Sequence, residues 1–270
     1  PIPESPSKPE GWIVDGWATR TISSLFIGGE RLEVVGHWRP GSNHAPIKVK
    51  QITSTMDYDF TGDKRFERVF ADIQTIGKGR RDAAWATDPE GIAATWRIDS
   101  MQNLPPGILQ IGVGAALSTA FNMQLKWPND IVDLEYRKSG GILCELQSDN
   151  SVVVGVGINR YEQLISGVET TGWEASLPTM SKSTAICVAD AAVASALDAH
   201  TLIGKPNSEV LRKSAWKGIS KVLSRGHTAI VNGAEKQTVG IGQNGDILLA
   251  GNSGLCSISE VDQISWRVIV

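Results

Sequence analysis

From Ile47 onward the chain keeps returning to short apolar runs of strand length, while only two stretches are long enough for a substantial helix. That balance leaves a sheet as the core and helices as its cover. The strand-like runs fall at Ile47–Ile52, 69–72, Ile92–Ile98, 125–127, 141–147 and 152–157, several alternating between apolar and polar positions. Pro105-Pro106 introduces the first helical stretch, 107–123, whose small and apolar residues Ile108, Ile111, Ala115, Ala116, Ser118 and Thr119 suit burial against a sheet. The second, 184–202, is Ala-rich and opens at Ser183 or Thr184, either of which could act as N-cap. A short helix up to Trp216 is expected after Pro206. The rest of the chain reads as strands turned at Asn232-Gly233 and Asn244-Gly245, the pattern of a small β-barrel. Residues 1–46 are rich in Pro, Gly and Trp, with a hairpin expected over Gly28-Gly29 between 23–27 and 31–35. The expected organisation is an extension of unknown role over 1–46, a main domain over 47–217 and a small β domain over 218–270.

Composition removes several classes of function. With 270 residues, 41% of them hydrophobic, the chain can bury a large core without staples. A net charge of −3 argues against a protein that coats nucleic acid, and no nucleic-acid partner is expected. Cys144, Cys187 and Cys256 are odd in number, widely spaced and free of any CxxC pattern, so they read as reduced thiols rather than disulfides or metal ligands. No apolar run approaches the roughly 18 residues of a membrane span. The opening stretch from Pro1 to Glu10 is polar and proline-rich, unlike an export signal. A cytoplasmic protein is expected, although the first residue is not Met and a segment removed ahead of it stays an open alternative.

Four constellations carry chemistry. In Lys126-Trp127-Pro128-Asn129-Asp130 a cation, an aromatic, a fixed φ and an amide–carboxylate pair stand together, which reads as site chemistry rather than packing. Lys138-Ser139-Gly140-Gly141-Ile142-Leu143 then removes side chains where a strand begins, so that a flat ligand can approach the backbone. The competing reading of both runs is a plain hairpin turned over Asp133 to Arg137. The second constellation runs from Gln74 through Gly77-Lys78-Gly79-Arg80-Arg81-Asp82 to Trp85: a glycine-flanked basic loop suited to a carboxylate or phosphate. It lacks the spacing and the Lys-Ser/Thr ending of a Walker A loop, and a solvated basic turn is its alternative. The third, Gln51-Ile52-Thr53-Ser54-Thr55, ends a strand in hydroxyls able to bind a cyclic urea or amide, or to cap the next turn. The fourth, from Val152 to Gly155-Val156-Gly157-Ile158-Asn159, is a buried strand ending in an amide.

In this order the four pieces resemble the biotin protein ligase family, from about Ile47 to the C-terminus. The resemblance implies a mixed β-sheet flanked by helices, related to class II aminoacyl-tRNA synthetases, with a small C-terminal SH3-like β-barrel. Residues 1–46 are too short and too broken by Gly and Pro for the winged helix-turn-helix that some members carry, so no repressor role is expected. The implied reaction activates biotin with ATP to biotinyl-5′-AMP and passes it to a lysine of a carboxyl-carrier domain, the partner of a biotin-dependent carboxylase.

The resemblance makes Lys138 and Arg80 the catalytic cations. It puts Ser54, Thr55, Gln74, Gly77, Lys78, Gly79, Arg80, Lys138, Gly141 and Ile142 around biotin, and Arg81, Trp85, Asn129, Asp130 and Asn159 on the ATP side, with Asp130 also the Mg²⁺ ligand. Departures cluster in and near the loop. Met56 stands where the family has Asn, Lys78 where it has Arg, Asp82 where it has Gly, and Ala83 where it has a basic residue, which together predict weaker retention of the adenylate. A lipoate or octanoate ligase of the same fold, and a non-enzymatic binding protein on a degenerate site, are the alternatives. A homodimer through a strand edge stays open.

Overall fold

The computed structural model of the chain describes residues 13–14, 17–27, 30–38, 47–60, 66–86, 88–98, 106–165, 167–203, 216–252 and 254–269. Strands β1 (Ile13–Val14), β2 (Trp17–Ile27) and β3 (Glu30–Trp38) form a separate antiparallel sheet, in which β2 and β3 pair from Ile27↔Glu30 to Ala18↔Trp38. The expected hairpin is therefore present with longer strands. Its Gly28-Gly29 tip, and the short helix expected just before Trp216, lie outside the described residues.

The main sheet starts with β4 (Ile47–Ile52) and β5 (Phe66–Gln74), and a two-stranded ribbon of β6 (Gly77–Lys78) and β7 (Ala84–Trp85) interrupts it. It continues through β8 (Ile92–Ile98), β9 (Gln124–Lys126), β10 (Asp130–Val132), β11 (Lys138–Leu146), β12 (Val152–Ile158), β13 (Gln163–Ile165) and β14 (Val168–Thr170). The order is β13-β14-β11-β12-β8-β5-β4, with β10 and β9 added beside β11. Among the described strands of this sheet β4 with β5 and β11 with β14 pair parallel and the other pairs antiparallel, so the sheet is mixed, as expected. Central β12 (VVVGVGI) is buried along its whole length, which is why it reads as an unbroken apolar run.

The helices α1 (Pro106–Ala120), α2 (Trp173–Ser176) and α3 (Lys182–Ile203) cover this sheet. Leu109, Val113 and Leu117 of α1 enter one core with Trp96, Ile142, Val154 and the alanines Ala185, Ala189 and Ala192 of α3, whose small side chains let the two helices approach. Ile111 and Ala115 on another side of α1 belong to a second core. A helix buried on two sides has little reason to be amphipathic, and α1 is apolar nearly all round. The N-cap of α3 is Ser181 rather than Ser183 or Thr184: its Oγ accepts from the Thr184 N–H at 3.2 Å and its carbonyl from the Ala185 N–H at 2.9 Å. The helix begins at Lys182, before either expected cap.

The second core joins the main sheet to five antiparallel strands, β15 (His227–Val231), β16 (Ala234–Ile241), β17 (Ile247–Gly251), β18 (Gly254–Ile258) and β19 (Ser265–Val268), ordered β18-β17-β16-β15-β19. Both expected turns are there, with φ of 51° at Asn232, 75° at Gly233 and 82° at Gly245. Trp127 enters this core, 3% exposed, and its indole N–H donates to the Gly245 carbonyl at 3.0 Å. The aromatic of the Lys-Trp-Pro-Asn-Asp run is thus packing, not site chemistry. Leu125 reinforces the junction through backbone bonds to Val222 (2.9 Å) and Ser224 (2.7 Å).

Candidate active site

A cavity of about 300 Å³ opens over the ends of β4, β5, β11 and β12 and under the β6–β7 ribbon. Its closed end is built by parallel pairing. Ile52 of β4 lies opposite Gln74 of β5, so the hydroxyl turn after β4 and the amide at the end of β5 emerge side by side. Oε1 of Gln74 accepts from the Thr55 N–H (2.7 Å), the Thr55 hydroxyl (3.0 Å) and the Ser54 hydroxyl (3.4 Å), and Thr95 donates to Thr55 Oγ1 at 2.9 Å. Ser54 also caps the short 3₁₀ turn Thr55–Asp57, accepting from the Met56 N–H. The capping reading holds for Ser54, and both residues also line the cavity.

Three glycines leave most of the floor as bare backbone. Gly141 and Leu143 of β11 pair with Gly157 and Gly155 of β12 and share a face with them. Trp85 lies across this floor, because a Cβ on Gly157 would overlap the indole and one on Gly141 would stand 3.6 Å from it. A Cβ on Gly155 would overlap the sulfur of Met56.

The charged rim depends on the hairpin. Asp133 closes its turn, accepting from the Glu135 and Arg137 N–H groups at 3.0 and 2.8 Å, and Asp130 of β10 then pairs with Gly141 of β11. The plain-hairpin reading is therefore correct, and the hairpin is what assembles the site. Lys138 Nζ stands 2.7 Å from Asp130 Oδ1 and 5.7 Å from the Trp85 ring centre, while Lys126 Nζ stands 3.8 Å from Asp130 Oδ2. Arg80 donates to Asn129 Oδ1 at 3.2 Å, and Asn129 Nδ2 to the Ile142 carbonyl at 3.2 Å. Lys78 is bound to Asp57, and Arg81, at φ 55°, forms an ion pair with Asp262 from beyond β18. Burial, then Arg81, lowers the pKa of Arg80, and burial lowers that of Lys126 against the opposing pull of Asp130. The hydrogen bond to Asp57 raises that of Lys78. Of the charged residues that line the cavity, Lys78, Arg80, Arg81 and Lys138 are cations and Asp130 is a carboxylate, which leaves the lining positive toward an anionic ligand.

Of the residues expected from sequence, Ser54, Thr55, Gln74, Lys78, Gly79, Arg80, Arg81, Trp85, Asn129, Asp130, Lys138, Gly141 and Ile142 line this one cavity. Gly77 does not line it. It sits where a Cβ would meet the Trp85 carbonyl at 2.6 Å, so the ribbon needs glycine there. Asn159 lies outside the lining too, 2% exposed, with its N–H donating to the Ser139 carbonyl at 2.8 Å. Met56, Leu143, Gly155, Val156, Gly157 and Val261 also line the cavity, and Lys126 reaches Asp130. The glycine pair was visible as a break in an apolar run; Val261, far along the chain, carried no local signal. Among the described residues no three acidic, His or Cys side chains stand together, and two lysines occupy the Asp130 carboxylate. These residues do not build a resident metal site.

No protein-family model matches the chain. Its fold is that of the biotin protein ligases. It resembles a biotin protein ligase from Aquifex aeolicus solved in complex with biotin and ATP, at 20% identity and a TM-score of 0.66 over 82% of this chain and 98% of that one. A biotin acetyl coenzyme A carboxylase synthetase from Helicobacter pylori, solved with biotinylated ATP, is similar at 16% identity and a TM-score of 0.52, over 78% and 99% of the two chains. A biotin protein ligase-like protein of unknown function from Silicibacter sp. shares the fold at 11% identity and a TM-score of 0.51, over 71% and 82%.

Proposed function

We propose that the chain is an ATP-dependent biotin protein ligase that works in two steps. In the first, a carboxylate oxygen of biotin attacks the α-phosphorus of ATP, pyrophosphate leaves, and biotinyl-5′-AMP forms. In the second, the neutral amine of a carrier lysine attacks the acyl carbon, AMP leaves, and an amide remains. The observation that carries the reading is the meeting, in one cavity, of a closed end bearing Ser54, Thr55 and Gln74 with a rim bearing Arg80 and Lys138. A cyclic urea needs the first, and the approach of a carboxylate to a phosphate needs the second.

Ser54, Thr55, Gln74, Lys78 and Gly79 hold biotin in this reading, with Gly77 shaping the ribbon behind them and Gly141 and Ile142 as the wall beside it. Arg80 and Lys138 lower the repulsion between the two anions as they meet. Arg81, Trp85, Asn129 and Asp130 serve the nucleotide, and Asn159 supports that side through its backbone bond to Ser139. Mg²⁺ would arrive on the phosphates of ATP, the usual mode for this ion; no step is assigned to it. The partner is a biotin carboxyl carrier domain and the setting cytoplasmic. The described helices include none long and apolar enough to cross a membrane.

A lipoate or octanoate ligase is disfavoured by the closed end, since neither a dithiolane ring nor a linear acyl chain carries N–H or carbonyl groups to meet two hydroxyls and an amide. ATP–pyrophosphate exchange tests the reading. Exchange driven by biotin is expected. Exchange driven only by lipoate or octanoate, or none with any acid, would sink it in favour of the other acyl ligases or of a binding protein.

A further inference from the structure

Met56 lines the cavity next to Ser54 and Thr55 but brings neither a hydroxyl nor an amide. Its backbone is fixed on both sides: its N–H donates to Ser54 Oγ at 3.3 Å, and the next residue, Asp57, binds Lys78 of the loop. From this fixed turn the side chain reaches across to β12. A Cβ on Gly155 would overlap its sulfur and stand 3.0 Å from its Cγ, so no space separates the thioether from the strand. With glycine at 155 the thioether rests directly on the strand backbone.

The closed end therefore has two unlike halves. Ser54, Thr55 and Gln74 form a hydrogen-bonding half, while Met56 on Gly155 forms a wall of soft, weakly accepting thioether. A compact ring with a polar edge fits the first half, but its other edge must be bare where it meets the second. We propose that the Met56–Gly155 pair is the specificity determinant of this end, admitting ring-bearing acids of biotin size and rejecting those with an extra substituent on the edge facing Met56. The assignment rests on the ligase reading for the identity of the acid.

The geometry makes the two residues interdependent, which gives the test. Binding of biotin and of biotin analogues carrying a single methyl or propargyl group on the bicyclic ring is measured by calorimetry on the full chain, so that no turnover is required. Met56→Ala is expected to raise the affinity for at least one analogue relative to biotin by about tenfold or more, the scale on which a pocket senses a few heavy atoms. Gly155→Ala is expected to weaken biotin binding by about tenfold, because Met56 is pushed into the cavity, and the double variant should recover most of that loss. An unchanged analogue-to-biotin ratio in Met56→Ala overturns the proposal, as does an equal loss in Gly155→Ala with and without Met56. If Gly155→Ala fails to fold, the Met56→Ala ratio decides alone. Pyrophosphate exchange separates the two readings: biotin binding with the expected ratios but no exchange removes the ligase function and leaves the specificity assignment standing, while failure of the ratios in an exchanging enzyme does the reverse.

Discussion

The ammonium of Lys138 stands 2.7 Å from the carboxylate of Asp130 on the facing strand of its own hairpin. Asp130 is shared with Lys126, so one carboxylate holds two lysines at the rim of the cavity, one half-exposed and one more deeply set. If Lys138 steadies the charge that develops as carboxylate meets phosphate, Lys138→Ala should lower biotin-dependent pyrophosphate exchange by roughly 10²- to 10³-fold. Exchange at the parental rate would remove Lys138 from that role. Asp130→Asn should leave Lys126 without its counter-charge and lower stability by about 1–3 kcal/mol, read from urea unfolding.

Trp85 and Gly157 should behave as a contact pair. Gly157→Ala places a methyl group where the indole lies, and the ring must leave the floor. An ångström-scale displacement of a positioning group commonly costs about 10²-fold in rate, and a loss of that order, with a raised KM for ATP, is expected in the exchange assay. A variant with parental kinetics would show that the position of Trp85 over the floor is immaterial.

Arg81 reaches out of the loop to Asp262, while Val261 beside it lines the cavity, so the C-terminal β region forms part of the closure. Both side chains of the pair are exposed, and the contact should be weak and sensitive to salt. Asp262→Arg is expected to speed loss of the adenylate a few-fold, measured as AMP released without a carrier. Asp262→Glu, which keeps the charge, should retain the adenylate as the parent does. Loss from Asp262→Glu as fast as from Asp262→Arg would assign it to something other than this pair.

His227 should make the protein acid-sensitive. It is 3% exposed, and burial, followed by the nearby Lys126 and against the weaker pull of Asp130, lowers its pKa to about 4. An unfolded chain takes up this proton near the ordinary value of about 6.5, whereas the folded one holds the ring neutral until about pH 4. The unfolded state therefore binds more protons in this window. Stability contributed by the neutral ring is fully present above about pH 6.5 and falls away toward pH 4, by at most on the order of 3 kcal/mol. Urea unfolding at intervals across that range should show the slope in the parent and a flatter profile in His227→Gln.

Much of the site was legible as residue types. The hydroxyls of Ser54 and Thr55, the amide of Gln74, Lys78 to Arg81 of the basic loop and the bare Gly141 all line one cavity. Strand positions were legible for the same reason, since apolar runs bounded by turns leave little choice of element. Trp127 was misread because an indole next to an amide–carboxylate pair looks the same in sequence whether it meets a ligand or a Gly245 carbonyl. Asn159 reads as a ligand-facing amide, yet it is buried at the end of β12, bonded to Ser139 and outside the cavity lining.

Sequence alone determined a mixed sheet with helices over it, a turn-rich β end, and the kinds of groups available to a site. Tertiary structure decided which of them meet. Asp130 faces Lys138 because of the β10–β11 register, Met56 rests on Gly155 because the end of β4 is carried over β12, and Val261 reaches the cavity only because the second core draws the C-terminal strands against α1. Local chemistry is written in each residue. Pairing depends on distances set by packing between segments far apart in the chain, which no window of sequence contains.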